Sequence, residues 1–146
     1  MIAKRFSKGF TIIELLVVVA IIAVLAAIVL VNVTSYIAKG KDAAIKGNLS
    51  TIQVNSAVYY DGQSPSTYVG FITACGAAPT GASGFTGPAN AITAAGGTTS
   101  CPASTATAAC VRSTLNGGGS YCVDSTGFKG APTAGTDCAG ADLTCQ

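Results

Sequence analysis

Apolar and polar positions divide this chain into three regimes. From Leu15 to Val31, seventeen consecutive residues are Leu, Val, Ala or Ile. Taken from Phe10 to Val33 the segment is 24 residues, or about 36 Å as a helix rising 1.5 Å per residue, enough to cross a bilayer core. Asn32, Thr34 and Ser35 begin a polar stretch, and Tyr36 stands where an interfacial aromatic belt would fall. Ile45, Leu49, Ile52 and Tyr59 then recur at spacings of 4, 3 and 7, one face of a helix. Val54 and Val58 form a weaker second row, and Gly40 and Gly47 each cost about 1 kcal/mol relative to Ala. Asp61-Gly62 followed by Ser64-Pro65 is a stop signal. The pattern predicts one helix from about Phe10 to Asp61, apolar over 10–33 and amphipathic over 34–61.

After Gly62 the helical period is lost. Fourteen of the eighteen glycines lie in 63–146 among many Ala, Ser and Thr, with only twelve large apolar residues in that stretch. So thin a core makes a marginal domain. Short strands are expected at Thr67–Thr73 and Ala108–Ser113. Ser120–Asp124 alternates, Ser125-Thr126-Gly127 turns, and Phe128-Lys129 returns as a hairpin. Gly117-Gly118-Gly119 reads as a flexible entry to that hairpin, without the strand–loop–helix setting of a phosphate loop. Gly76 to Ser100 reads as a long surface loop. The expected fold is α+β: a long helical spine packed against a small antiparallel sheet in a 62–146 head.

Charge changes the reading of the first segment. One carboxylate, Glu14, interrupts the apolar run, and Lys4, Arg5 and Lys8 precede it. The run is too long for an ordinary secretory signal. A plain anchor gives no reason for the carboxylate, since a charge at a span's centre costs about 2.5–3.5 kcal/mol on insertion scales and less at an interface. Snorkelling of Glu14 into the headgroups is the bland alternative.

Short basic leader, Gly9-Phe10 junction, Glu14 four residues on, then an unbroken apolar helix: this resembles the prepilin signal of type IV pilins and their pseudopilin relatives. The resemblance implies cleavage of leader 1–9 by a prepilin peptidase after Gly9, with N-methylation of Phe10. It also implies that Glu14 neutralises the N-terminal amine of a neighbouring identical subunit in a helical filament. The physics is compatible, because an ammonium and a carboxylate each offset the other's burial. An i,i+4 pairing of Phe10 and Glu14 within one chain is equally compatible. Where many family members carry a proline or glycine in the apolar half, this chain has Val31 and Ala23, so local melting of the spine is not expected.

Without residues 1–9, five basic side chains face six acidic ones, a net side-chain charge of −1. The basic pI of about 8.2 therefore belongs to the uncut chain and gives no argument for a nucleic-acid site. The leader charges instead predict a cytoplasmic N-terminus in the inner membrane, with the head outside.

All six cysteines (Cys75, Cys101, Cys110, Cys122, Cys138 and Cys145) fall in the head. An even number outside the membrane points to disulfides, and fifteen connectivities stay open. A bridge closing the short loop from Cys138 to Cys145 is the simplest guess. Metal is the rival, but there is no C-x-x-C and no histidine. Asp137 and Asp142 could ligate calcium, as in some major pseudopilins, though solvated loop carboxylates explain them as well. No cofactor is implied. Without histidine or G-x-S-x-G no catalytic set is visible, and the sequons at Asn32 and Asn48 lie on the expected spine.

The function expected is structural: a pilin that anchors in the inner membrane as a prepilin, then polymerises into an extracellular filament with the help of assembly machinery. Two alternatives share its features. One is a pseudopilin of a type II secretion system; the other is an anchored adhesin that never polymerises.

Overall fold

Ile45, Leu49 and Ile52 are 0–2% exposed, so the apolar face read from their spacing is a packed one. They lie on helix α1 (Ile12–Gly62). The computed structural model describes residues 9–132, 138 and 143–145, with 30–32 as helix backbone only. The chain divides into two units, Met1–Tyr36 and Ile37–Gln146, and the dividing point falls inside α1. In the first unit every described side chain is exposed, including Ile12 through Val29.

The second unit holds the sheets. After the α1 segment come β1 (Ile72–Ala74), β2 (Thr80–Gly81), helix α2 (Ser83–Ala94), β3 (Thr99–Ser100), β4 (Cys110–Thr114), β5 (Ser120–Asp124) and β6 (Lys129–Gly130). β1 and β2 form a two-stranded ribbon, and β3-β4-β5-β6 an antiparallel sheet in sequence order. The central ladder sets Val111 opposite Val123 and Arg112 opposite Cys122. Because side chains alternate along a strand, Val111 and Val123 share one face, while Cys110 and Cys122 share the other. The first face closes on Ile45, Leu49, Ile52, Phe71, Phe85 and Ile92 in the main core. The expected fold class, a long helix packed against small antiparallel sheets with disulfide ties, is what is found.

The helical face of α1 carries one residue the periodicity skips. Ser56, 4% exposed, stands between Ile52 and Tyr59, and its hydroxyl donates to the Gln53 carbonyl at 2.7 Å. That internal bond removes the penalty for a buried hydroxyl. Val54 and Val58, the weaker row, remain 63% and 66% exposed.

Gly76–Ser100 is not a surface loop. It contains β2, α2 and β3, and α2 buries Phe85, Ala89 and Ile92. Spacings of 4 and 3 give that helix an inner face, hidden in the sequence by Gly84, Gly87 and an internal Pro88. Proline has no amide for the carbonyl four residues back, here that of Gly84. The side chain of Asn55 on α1 donates to that carbonyl at 2.8 Å. A Cβ on Gly84 would stand 3.1 Å from the Asn55 Cβ, so the glycine permits the close approach. At its other end α2 closes on Gly96, at φ +91°. The Gly97 amide reaches Ile92 O and the Gly96 amide reaches Thr93 O, both at 3.0 Å, the paired bonds of a Schellman cap.

Two strand expectations also shift. Thr67–Thr73 is strand only from Ile72; its start is held by the Phe71 amide donating to Tyr68 O at 2.9 Å, a turn. The returning strand begins at Lys129. β5 falls where the alternation placed it, and the strand expected over Ala108–Ser113 is β4 at Cys110–Thr114.

Candidate functional site

Three features of the described residues bear on function: the start of α1, the clamp on the β4–β5 turn, and the cysteines. At the first, Thr11 precedes the helix and Glu14 is its third residue. The Thr11 amide and hydroxyl donate to Glu14 Oε2 at 3.0 and 2.7 Å. The Glu14 amide donates back to Thr11 Oγ1 at 3.3 Å. This is a reciprocal capping box, which satisfies amides that the first helical turn leaves without partners. Its signature, T-x-x-E before an apolar run, is legible in the sequence, yet attention to Glu14 alone passes over Thr11. Gly9 and Phe10 lie before the helix and are exposed, Phe10 at 80%. Among the described residues, the Glu14 carboxylate is held by Thr11 rather than by Phe10. The leader charges Lys4, Arg5 and Lys8 lie outside the described residues.

In the second unit, Asp42 on α1 receives the turn between β4 and β5. Its Oδ1 accepts the Asn116 amide at 2.6 Å and the Asn116 side chain at 3.2 Å; its Oδ2 accepts the Gly117 amide at 2.9 Å. Desolvation works to raise the Asp42 carboxyl. It is outweighed by the donors from Gly117 and Asn116 and by the Lys46 charge, so the group lies below the ordinary carboxylate range. Lys46 also stands 5.5 Å from the Tyr121 ring centroid. Gly117-Gly118-Gly119, expected as a flexible entry, thus forms a turn pinned at Gly117.

The six cysteines form three disulfides: Cys75–Cys101, Cys110–Cys138 and Cys122–Cys145. The guessed Cys138–Cys145 bridge is wrong. Cys110 and Cys122 sit side by side on the outer face of the sheet, and each captures one C-terminal cysteine. The C-terminal segment is therefore tied to the sheet rather than to itself. Asp124 guides it: Oδ2 accepts the Cys145 amide at 3.0 Å, and Oδ1 accepts the amides of Thr126 and Phe128 and the Thr126 hydroxyl. Asp124 is 3% exposed, so these donors offset its desolvation. Asp137 and Asp142, the calcium candidates, lie outside the described residues.

A family model described as the prokaryotic N-terminal methylation motif matches residues 4–30. The chain carries a class III prepilin signal. That is the signal of type IV pilins and pseudopilins, and the prepilin match takes in Gly9, Phe10, Thr11, Glu14 and most of the apolar run. The capping box therefore sits inside the prepilin signal. No curated protein and no solved structure matches the chain significantly, and the head lies wholly beyond the prepilin match.

Proposed function

We propose that this protein is a structural pilin of a type IV pilus-like extracellular filament. As a prepilin it crosses the inner membrane once with its leader in the cytoplasm. A prepilin peptidase cleaves between Gly9 and Phe10 and methylates Phe10, and the apolar part of α1 then passes from the bilayer into a filament core built of identical subunits. The observation that carries the reading is the wholly exposed apolar surface of Ile12–Val29 behind a prepilin signal. Bilayer and filament core each remove that surface from water, so one segment serves both settings. No enzymatic role is proposed.

Glu14 has the assembly role in this reading. A carboxylate has about four lone-pair sites, and Thr11 takes two of them on Oε2. Among the described residues nothing takes the rest, which in this reading accept from the methylated amine of an adjacent subunit. Cleavage after Gly9 leaves the Thr11 amide intact, so the capping box survives processing and holds the carboxylate at the helix start.

The test is the intact mass, without reductant, of the protein from a sheared cell-surface fraction. Loss of residues 1–9, gain of one methyl group and absence of six thiol hydrogens are expected, with abundance in that fraction. The processed mass confined to the cell envelope would favour the pseudopilin reading. An uncut chain in cells with an active prepilin peptidase would overturn both. Glu14→Ala should abolish filaments while leaving the processed chain in the membrane; an anchored adhesin would keep its activity.

A further inference from the structure

The outer face of the sheet brings four sulfurs together. Cys110 and Cys122 are diagonal neighbours across the β4–β5 ladder, and Cys138 and Cys145 lie over them. All four residues are 0–1% exposed, Phe128 packs against the group, and the four Sγ atoms all lie within 4.8 Å of one another. Between the two bridges the sulfur separations are 3.0 Å for Cys122–Cys138, 3.6 Å for Cys110–Cys145, 3.7 Å for Cys110–Cys122 and 3.8 Å for Cys138–Cys145.

A tetrahedral zinc ion with Zn–S bonds of about 2.3 Å sets its sulfurs about 3.8 Å apart. Of that tetrahedron's edges, three of the four between the bridges already match and the fourth is shorter by less than an ångström. The two within the bridges are bonded and reach that length only once the S–S bonds open. The backbone is also prepared. Two ligands stand on paired strands, and the third, Cys145, has its amide fixed by Asp124. Both oxygens of Asp124 are engaged by protein donors, which leaves a donor set of sulfur alone. A buried, all-sulfur donor set describes a soft-metal site rather than one for calcium or magnesium.

We propose that, when both bridges are reduced, Cys110, Cys122, Cys138 and Cys145 form a tetrathiolate site for zinc or a cation of its class. Opening each bridge takes two electrons and two protons. A dithiol reductant supplies them and leaves as its own disulfide; a phosphine reductant does so with water and leaves as phosphine oxide. Binding the cation then releases up to four protons as the thiols become thiolates. In this state the metal replaces the two bridges as the tie between the C-terminal segment and the sheet. Cys75 and Cys101, outside the cluster, take no part.

The experiment adds cobalt(II) under anaerobic conditions to the full chain in detergent micelles after phosphine reduction. One cobalt per chain is expected, with the absorption of a tetrahedral tetrathiolate, bleached by one equivalent of zinc. The double variant Cys75→Ser/Cys101→Ser should keep that spectrum, whereas Cys145→Ser should weaken binding at least tenfold and shift the bands. The oxidised chain should bind none. Absence of cobalt binding by the reduced native chain, an octahedral spectrum, or binding indifferent to Cys145→Ser would each overturn the proposal. The native chain's spectrum decides even where a variant fails to fold.

Discussion

The side-chain amide of Asn55 donates to the main-chain carbonyl of Gly84 at 2.8 Å, the carbonyl that Pro88 cannot serve from within α2. A helix broken in its own hydrogen bonding is completed by the helix it packs against. Asn55 thereby does for α2 what a normal residue at position 88 would do unaided.

Asn55→Ala should orphan that carbonyl and destabilise the second unit by about 1–3 kcal/mol. Pro88→Ala restores an amide at the right place, so the double variant should lose markedly less than Asn55→Ala alone. Denaturant midpoints of the four proteins form the cycle. Additive losses would show that Pro88 and Asn55 are not linked through Gly84.

Asp42 gives an acid dependence with a definite sign. Its carboxyl lies below the ordinary range in the folded protein, so the stability it adds is complete above the unfolded range, near pH 4. It is lost as pH falls through the lower folded value. Asp42→Asn should therefore melt at lower temperature than the native chain at pH 7, and the gap should narrow near pH 2. A gap constant with pH would mean that the carboxylate charge does not hold the Asn116-Gly117 turn.

The Cys75–Cys101 bridge spans a sequence separation of 26, for which chain-entropy reasoning gives about 3.5 kcal/mol. Cys75→Ser/Cys101→Ser should lower stability by about that amount while leaving Cys110–Cys138 and Cys122–Cys145 intact in a non-reducing peptide map. A loss under about 1 kcal/mol, or scrambled pairing, would count against the bridge as an independent tie.

Thr11→Val removes the hydroxyl of the capping box and should cost about 1 kcal/mol at the helix start. Amide exchange at Glu14 and Leu15, whose amides reach Thr11 Oγ1 and O at 3.3 Å, should then quicken about fivefold in micelles. The melting temperature of the second unit should not move. Unchanged exchange would remove the box as a determinant of Glu14's position.

How far these features are legible in the sequence follows the range of the interaction behind them. The buried trio Ile45, Leu49 and Ile52 is visible because helical period is a local property. The β5–β6 hairpin is visible because the alternation of Ser120–Asp124, the Ser125-Thr126-Gly127 turn and the returning strand follow one another directly along the chain. α2 is not. Its glycines and proline argue locally for a loop. What reverses that expectation is distant: Asn55 stands 29 residues before Gly84, and the core around Phe85 is assembled from several elements. The glycine pair at 96–97 is the one local sign of a helix end.

The sequence alone determined the prepilin signal, the apolar run behind it and the period of the helix that follows. Each depends on residue order within a few turns, where geometry is nearly independent of the rest of the chain. Which cysteines join, and that four of them share one buried cluster, was decided only by tertiary structure. Loop-closure entropy favours the short Cys138–Cys145 ring. The paired strands override it by presenting Cys110 and Cys122 together on one face, with Asp124 drawing the last cysteine onto them.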